Sequence, residues 1–440
     1  MSNSTSGDTV RVSPHPGMSF AEFVAMIAAL MALNALAIDV MLPALPNIGE
    51  AFDVALENDR QKVLIAYLVG FGGAQLVYGP FSDRFGRRPL LLGGLALYSA
   101  ASVLSLVADS FDHLLLARLL QGIGCAAPRV VALSIVRDCY SGRQMGRVMS
   151  LAMMVFMAIP IVAPSLGQVL LFVAPWRAIF GMLLLGGLAC FLWCYIRLPE
   201  TLPLGRRTPL QPSAILGSYR QAITTRVTVG YMAATALVFG ALFGFIASAQ
   251  QIFVDVFNLG ALFPLVFAGV ALCMSAASFL NSRLVGQIGM RRLSHGALIA
   301  FTLMGILQVL LAVSGLDSLP AFLAILCVTM FLFGFIGPNF NALAMEPVGH
   351  IAGTASSVLG FGTTLGGAIM GFFVGQQFDG TIVPIALGYS TFGLAAVLVV
   401  LLTERGRLFH PIERTFQPSP ARPACPADGG LSKNAETPGQ

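Results

Sequence analysis

The stretch Gly79-Pro80-Phe81-Ser82-Asp83-Arg84-Phe85-Gly86-Arg87-Arg88-Pro89 decides the fold of this chain. It lies between two long apolar runs, residues 63–78 and 90–108, which are free of charged side chains. Arginine accumulates on the cytoplasmic side of membrane helices, and glycine and proline let a backbone reverse direction within a few residues. We therefore predict a tight, charged cytoplasmic turn between two spanning helices. Asp83 is expected to pair with a neighbouring arginine or to cap a helix N-terminus.

The composition is that of an integral membrane protein. Of the 440 residues, 56% are hydrophobic and only 10% are charged, whereas a soluble globular domain carries about 25% charged residues. The net charge of +5 does not indicate nucleic-acid binding, because most of the arginines lie in loops between apolar runs. We therefore expect a lipid bilayer around the chain and no nucleic-acid partner.

Twelve apolar segments are long enough to cross a hydrocarbon core about 30 Å thick. Lipid offers the backbone no hydrogen-bond partners, so a spanning segment must be a helix or part of a closed barrel. The alternating pattern of a barrel strand is absent, and we predict an all-α integral membrane protein. The predicted spans are residues 20–43, 61–80, 90–108, 113–136, 146–171, 177–197, 226–250, 262–282, 293–314, 320–344, 354–376 and 384–403.

The positions of the basic residues predict the orientation. Placing both termini in the cytoplasm puts 20 of the 25 lysines and arginines on that side, while the opposite loops are short or acidic. We therefore predict a multi-pass protein of the bacterial cell inner membrane with both termini cytoplasmic.

The longest internal polar segment, residues 198–225, divides the chain into two parts of six spans each. Gly289-Met290-Arg291-Arg292 follows predicted span 8 much as Gly86-Arg87-Arg88 follows span 2, about 204 positions earlier. We predict two pseudo-symmetric six-helix bundles that rock around a site at the membrane midplane. The predicted divisions are a disordered cytoplasmic N-terminus (1–19), an N-terminal bundle (20–197), a cytoplasmic linker (198–225), a C-terminal bundle (226–403) and a disordered cytoplasmic tail (404–440).

Asp39 lies toward the outer end of the first predicted span. An ionised carboxylate inside a bilayer costs several kcal/mol, so this side chain is expected to face a water-filled cavity. A carboxyl group in that position can bind a proton on one side of the membrane and release it on the other. Asn34 is a candidate for the same cavity. The alternative is an interfacial acid just outside the hydrocarbon core.

Two arginines occur within the fourth predicted span. Arg118 and Arg129 are eleven residues apart, or almost three helical turns, so both are expected on one helix face about 16 Å apart. A cationic stripe facing the cavity could displace a proton from its carboxylate when substrate enters, or attract an anionic substrate. The alternatives are a structural ion pair for Arg118 and, for Arg129, a side chain that reaches back to the cytoplasmic surface.

Two prolines and a glycine interrupt the fifth predicted span. Pro160, Pro164 and Gly167 predict kinks and close helix packing. These positions are candidate hinges for the rocking motion, and local bending without a gating role is the alternative.

The sequence has no pattern typical of an enzyme. The five histidines form no cluster, the seven cysteines have no metal-ligand spacing, and no Walker loop is present. We therefore predict no enzymatic activity, no metal and no cofactor other than protons as the coupling ion.

Several motifs in residues 20–403 occur together in one known family. They are Asp39-Val-Met-Leu-Pro43-Ala-Leu-Pro46, the Gly79–Arg88 loop, Arg118-Leu-Leu-Gln121-Gly-Ile-Gly124, Ile135-Val-Arg137-Asp138, Ala163-Pro164-Ser-Leu-Gly167, Trp176-Arg177-Ala-Ile-Phe180 and Gly353-Thr-Ala-Ser-Ser357. Together they resemble the drug:proton antiporter group of the major facilitator superfamily, and within it the bicyclomycin/chloramphenicol-resistance (Bcr/CflA) branch.

The resemblance implies the major facilitator fold and export of small, mostly hydrophobic compounds in exchange for inward protons. It also implies that Arg118 and neighbours such as Gln121 act in proton coupling. The loop would form a cytoplasmic gate in which Asp83 and Arg84 act as the latch of the outward-open state. The predicted gating residues are Gly79, Asp83, Arg84, Gly86, Arg87 and Arg88. We expect a functional monomer that binds a small-molecule substrate.

The sequence departs from the family pattern at two places. The usual Gly-Pro-x-x-Gly-Gly of span 5 is Ala163-Pro164-Ser165-Leu166-Gly167-Gln168 here, which puts the close packing in doubt. A second acid found in some related exporters is replaced by Met31, and Arg129 favours neutral or anionic compounds over cations. The alternatives in function are an exporter of a metabolite or siderophore-like compound, and a non-transporting membrane sensor.

Overall fold

The computed structural model describes residues 18–140, 142–207 and 212–409, and all regular structure in these ranges is helical. Twelve long helices coincide with the twelve predicted spans, which confirms that prediction. They are α1 (Phe20–Asp39), α2 (Lys62–Phe85), α3 (Arg87–Leu106), α4 (Phe111–Cys139), α5 (Gly142–Val173), α6 (Arg177–Arg197), α7 (Arg226–Gln250), α8 (Phe263–Ile288), α9 (Met290–Val313), α10 (Leu319–Met345), α11 (Ala352–Gln376) and α12 (Val383–Thr403).

Within the described ranges, eleven continuous helical stretches are long and apolar enough to cross a membrane. One of them, Leu319–Gln376, is 58 residues long and therefore about twice the length of a single crossing. It contains α10 and α11, joined by a short 3-10 turn over Glu346–Ile351 in which Val348 leaves the helical conformation. The eleven stretches thus provide twelve crossings.

The charged turn between α2 and α3 is shorter than predicted. Helix α2 continues through Pro80 to Phe85, and α3 begins at Arg87. Gly86 alone reverses the chain, with a φ of +103° that favours glycine. Gly79 and Pro80 therefore lie inside a helix, and the prediction that they form the turn is wrong. We call this end of the bundle the Arg87 end, and the opposite end of α2 the Gln61 end.

Shorter helices complete the described chain. A 3-10 turn and a helix over Leu45–Ala51 extend α1 at the Gln61 end. A helix over Pro212–Thr224 lies within the predicted linker, and its Tyr219 hydroxyl donates a hydrogen bond of 2.7 Å to the Leu76 carbonyl oxygen of α2. The predicted disordered termini fall mostly on residues 1–17 and 410–440, outside the described residues.

Two helix pairs join the first six long helices to the last six. Helix α2 packs against α11 so closely that a β-carbon at Gly72 would lie 2.9 Å from the Leu365 amide nitrogen. Helix α5 packs against α8, where the Ser275 hydroxyl donates a 3.3 Å hydrogen bond to the Met157 carbonyl oxygen. The space enclosed between these two pairs contains the candidate site.

The predicted copy of the charged turn is present between α8 and α9. Gly289 has a φ of +90° and precedes Arg291 by two residues. Arg291 Nε contacts Glu404 Oε1 at 2.9 Å, 113 residues further along the chain. In the first turn, the Arg87 amide contacts Glu200 across the same sequence separation of 113 residues. The two turns therefore share a backbone conformation and a glutamate partner, although the glutamate binds backbone amides in the first turn and a guanidinium group in the second.

Candidate functional site

A cavity of about 920 Å³ lies between the first six and the last six helices. It reaches from Ile38 and Asp39, beyond the middle of the bundle, to Asp83 and Gly353 at the Arg87 end. The walls are mainly phenylalanine, methionine and other apolar side chains. This volume is within the range of sites that bind drug-sized molecules. The polar and charged residues that line it include Asn34, Asp39, Gln75, Arg129, Ser134, Arg137, Thr235, Asn341, Thr363 and Thr364.

Asp39 forms the deep end of this cavity. It is the last residue of α1, only 4% of its surface is exposed, and it makes no ion pair or hydrogen bond with the described residues. Burial of an unpaired carboxylate is costly, whereas the protonated acid needs no counterion. The position is therefore suited to binding and releasing a proton from the cavity.

Arg118 does not line the cavity. Its guanidinium group is fully buried and donates hydrogen bonds to the carbonyl oxygens of Ala37 at 3.0 Å and Val63 at 3.2 Å. A third bond of 2.6 Å goes to Gln121 Oε1, and Gln121 in turn donates to the Ser102 hydroxyl. These contacts join α4 to α1, α2 and α3, so neither Arg118 nor Gln121 contacts the cavity.

The predicted cationic stripe is therefore not formed. Arg118 is covered by the ring of Tyr67, whose centroid lies 4.6 Å from the guanidinium carbon. Arg129 instead lines the cavity, with Phe156 as its aromatic neighbour at 5.7 Å. The carbonyl oxygens of Ala37, near the end of α1, and Val63, at the start of α2, explain the difference, because they offer Arg118 buried acceptors that Arg129 lacks among the described residues.

Tyr67 connects Arg118 to the cavity, and the sequence had not singled it out. Its hydroxyl donates a hydrogen bond of 3.0 Å to Asn34 Oδ1, and Asn34 lines the cavity as predicted. Asn34, Tyr67, Arg118 and Ala37 thus form a continuous set of contacts that ends two residues before Asp39.

The turn residues form a cluster at the Arg87 end. Arg87 Nη1 contacts Asp83 Oδ1 at 2.5 Å and Ser82 Oγ at 2.6 Å, and Arg87 Nε contacts Asp138 Oδ2 at 2.9 Å. The carboxylate of Glu200 accepts the amide hydrogens of Arg87 and Arg88 at the start of α3. The predicted pairing of Asp83 with an arginine is therefore present, while the helix cap is Glu200, a residue that sequence reasoning missed.

The other predicted gating residues have separate environments. Arg84 is exposed, and Arg88 donates a hydrogen bond of 2.7 Å to the Tyr195 carbonyl oxygen. Gly79 lines the cavity against α11, where a β-carbon would lie 2.4 Å from Ser357 Oγ. In this conformation Asp83 bonds to Arg87 within the first six helices, and the latch role of Asp83 and Arg84 stays a prediction.

The predicted hinge residues lie in an unbroken helix, α5. Pro160 lines the cavity and Pro164 is buried. A β-carbon at Gly167 would lie 2.2 Å from the Val40 carbonyl oxygen, so α5 packs closely against the end of α1. The close packing is therefore present beside Asp39 despite Gln168, and the hinge role stays a prediction.

Side-chain amides close the Gln61 end. Gln61 Nε2 donates to Gln251 Oε1 at 2.6 Å and to the Gly375 carbonyl oxygen at 3.1 Å. Gln251 Nε2 donates to Asn58 Oδ1 at 2.8 Å, and Asn58 Nδ2 donates to the Phe378 carbonyl oxygen at 2.8 Å. Sequence reasoning missed this cluster because uncharged amides 190 or more positions apart carry no signal that they meet.

The comparisons with known proteins agree with this geometry. The sequence profile of the Major Facilitator Superfamily matches residues 27–371. The bicyclomycin resistance protein homolog of Haemophilus influenzae is 31% identical over 386 residues, covering 86% of this chain and 94% of that protein. A chloramphenicol resistance protein of Pseudomonas aeruginosa is 33% identical over 368 residues, covering 80% and 83%.

A solved structure shows the same fold. The crystal structure of a D-xylose-proton symporter superposes with a TM-score of 0.68, covering 88% of this chain and 98% of the other, at 15% sequence identity. One assignment follows from the twelve long helices of the described ranges, the cavity between the two helix sets and the match to the family profile. The chain is a multi-pass membrane transporter that belongs to the major facilitator superfamily.

Proposed function

We propose that this chain exports small hydrophobic drugs or other toxic compounds in exchange for inward-moving protons. The observation that carries the proposal is Asp39, buried and unpaired at the deep end of a drug-sized cavity. The cavity reaches the Arg87 end and is closed at the Gln61 end by amide hydrogen bonds. Such an arrangement suits alternating access, in which one end is closed while the site is reached from the other.

The charges of the loops support a membrane location and an orientation. Because arginine accumulates on the cytoplasmic side of membrane proteins, the arginine-rich turns at Gly86 and Gly289 support an orientation with the Arg87 end and both termini in the cytoplasm. The membrane is then the bacterial inner membrane. The coupling ion is the proton, and the transporter acts as a monomer on a small-molecule substrate, with no enzymatic step, further cofactor or nucleic-acid partner.

The names of the relatives support the substrate class. One relative is a bicyclomycin resistance protein homolog and another is a chloramphenicol resistance protein. The walls of the cavity fit ring-containing molecules, because phenylalanine and methionine side chains provide adaptable apolar contacts.

Asp39 and Arg118 have complementary tasks in this proposal. Asp39 binds a proton when the Gln61 end is open and releases it when the cavity reaches the cytoplasm. Arg118 holds the carbonyl oxygen of Ala37, two residues before Asp39, and so fixes the position of the carboxyl group. Arg118 is then a positioning residue, while Asp39 carries the proton.

The test is substrate-induced proton release from energised, everted membrane vesicles. Wild type and Asp39→Asn are challenged with a panel of antibiotics and dyes. Asp112→Asn is the matched control, since Asp112 is exposed at the first turn of α4. We expect proton release with wild type and with the control, and none with Asp39→Asn.

Other outcomes separate the alternatives. Proton release that persists in Asp39→Asn would move the coupling site elsewhere in the protein. No response of the folded wild type to any compound would contradict multidrug export and favour an exporter of one metabolite or siderophore-like compound.

A further inference from the structure

Arg129 is a cation without a counterion on the wall of the cavity. It is only partly exposed, and it makes no ion pair or hydrogen bond with the described residues. Its guanidinium carbon lies 5.7 Å from the centroid of the Phe156 ring. A charged side chain inside a membrane protein is expected to be paired or hydrated. The guanidinium group of Arg129 faces the cavity without a protein counterion and is therefore available to a ligand that enters.

The acids that line the same cavity are not available to Arg129. Asp83 is held by Arg87 at 2.5 Å. Asp39 lies at about the same position along the bundle axis as Arg118, because Arg118 donates a hydrogen bond to the carbonyl oxygen of Ala37, two residues before Asp39. Arg129 is eleven residues further along α4, about 16 Å toward the Arg87 end. The middle of the cavity therefore has a positive charge that no described carboxylate compensates.

A second arginine extends this positive region to the mouth. Arg137 follows Arg129 by eight residues on α4, or about 12 Å, and also lines the cavity. Its guanidinium group reaches across to Gly353 at the start of α11, where a β-carbon would lie 3.8 Å from Nη2. A molecule entering from the Arg87 end therefore meets Arg137 first and Arg129 next.

The wall beside Arg129 is apolar and adaptable. Met149, Met153 and Phe156 on α5 all line the cavity. Methionine and aromatic side chains pack well against flat rings, while a guanidinium group binds a carboxylate or sulfonate through two parallel hydrogen bonds. An acidic group and a ring system on one molecule would satisfy both features.

We infer that the cavity binds amphiphilic aromatic anions, with the acidic group on Arg129 and the rings against Met149, Met153 and Phe156. The inference rests on the proposed export function but goes beyond it, because hydrophobic drug efflux alone does not require a negative charge. Arg137 raises the local concentration of such anions at the mouth.

Two dyes with the same rings test the inference. 1-Anilinonaphthalene-8-sulfonate carries a sulfonate, and N-phenyl-1-naphthylamine is its neutral counterpart. Binding of each to the full chain in lipid nanodiscs is measured by equilibrium dialysis, with empty nanodiscs subtracted. We expect wild type to bind the sulfonate about tenfold more tightly than the neutral dye, and Arg129→Gln to lose that preference.

Two further variants serve as controls. Arg129→Lys is expected to restore part of the sulfonate affinity, and Arg226→Gln to leave it unchanged because Arg226 is exposed at the start of α7 and does not line the cavity. If Arg129→Gln does not fold, Arg137→Gln is used, with a smaller loss expected. Retained binding of the neutral dye shows that a variant is folded.

The outcomes separate this inference from the proposed function. Equal affinity of wild type for both dyes, or no measurable binding of the sulfonate, would overturn the inference. Proton release that depends on Asp39, with neutral drugs alone as substrates, would leave the export function standing without an anion site.

Discussion

Gln61 donates a 2.6 Å hydrogen bond to Gln251, a residue 190 positions away, and so joins the start of α2 to the end of α7. Gln61→Leu keeps the size of the side chain but leaves Gln251 and the Gly375 carbonyl oxygen without this donor. An unsatisfied buried polar group costs about 1–3 kcal/mol. We therefore expect a shift of about tenfold or more toward the conformation that is open at the Gln61 end.

Thiol labelling measures this shift. Ile246 lines the deep part of the cavity, and Ile246→Cys is made in a background without the seven native cysteines. An impermeant maleimide added outside intact cells should label it faster when Gln61→Leu is present. Gln308→Leu is the control, because the amide of Gln308 is buried without a hydrogen-bond partner among the described residues. Equal labelling of all three proteins would contradict the prediction.

Adjacent glycines on α2 should respond differently to alanine. A β-carbon at Gly72 would lie 2.9 Å from the Leu365 amide nitrogen of α11, whereas one at Gly73 meets no atom within 4 Å. Overpacking of this kind costs about 1–3 kcal/mol. Gly72→Ala is expected to lower the thermal stability and the substrate-induced proton release, because α2 and α11 join the two helix sets.

Gly73→Ala is the matched control for this prediction. Alanine is favoured over glycine in a helix by about 1 kcal/mol, so this variant should be as stable as wild type or slightly more stable. Thermal unfolding in detergent and proton release from vesicles are measured for both variants. Loss of function at Gly73 but not at Gly72 would show that the α2–α11 contact is unimportant.

The positions of the helices could be predicted from the sequence because lipid imposes a length and a composition on every crossing. The site was only partly predictable. Asp39 and Arg129 stand out as charges in apolar runs, and both line the cavity. Arg118 faces the interior of the first helix bundle rather than the cavity because Tyr67 covers it and two backbone carbonyl oxygens accept its hydrogen bonds. No periodicity in α4 reveals acceptors that belong to other helices.

The contact of Glu200 with the Arg87 amide could have been predicted from the spacing of residues in the sequence. Glu200 follows Arg87 by 113 residues, and Glu404 follows Arg291 by 113 residues. The equal spacing in the two parts of the chain is a signal of the repeat. This signal appears only when the two halves of the chain are aligned over their whole length, because each glutamate lies 113 residues from the arginine that it contacts.

The charge cluster around Arg87 should matter for stability. Arg87 is 4% exposed and contacts Asp83 and Asp138. Arg87→Met removes the cation and leaves two carboxylates close together. Breaking a fully buried ion pair costs about 3–5 kcal/mol, and solvent screening reduces this cost here because the side chains of Asp83 and Asp138 are 40% and 18% exposed. We expect a clearly lower melting temperature in detergent. Arg84→Met, an exposed neighbour, should melt like wild type, and an equal effect of the two substitutions would refute this role of the cluster.

The contacts of Glu404 with Arg291 and Tyr231 predict a dependence of stability on pH. Burial acts to raise the pKa of Glu404, but hydrogen bonds from Tyr231 and Arg291 outweigh it, and the pKa lies below its ordinary value of 4.5. A carboxylate with a lowered pKa stabilises the fold above its ordinary value, and this contribution is lost as the pH falls through the lowered pKa. Glu404→Gln should therefore reduce the melting temperature at neutral pH.

The difference between wild type and Glu404→Gln should shrink below pH 4.5, because wild type then loses the same interaction. Melting temperatures recorded from neutral pH downward test the sign of this effect. Glu50→Gln, at an exposed acid near the Gln61 end, is the control and should match wild type at neutral pH. A difference that stays constant or grows under acid would mean that protonation of Glu404 does not weaken its bonds to Tyr231 and Arg291.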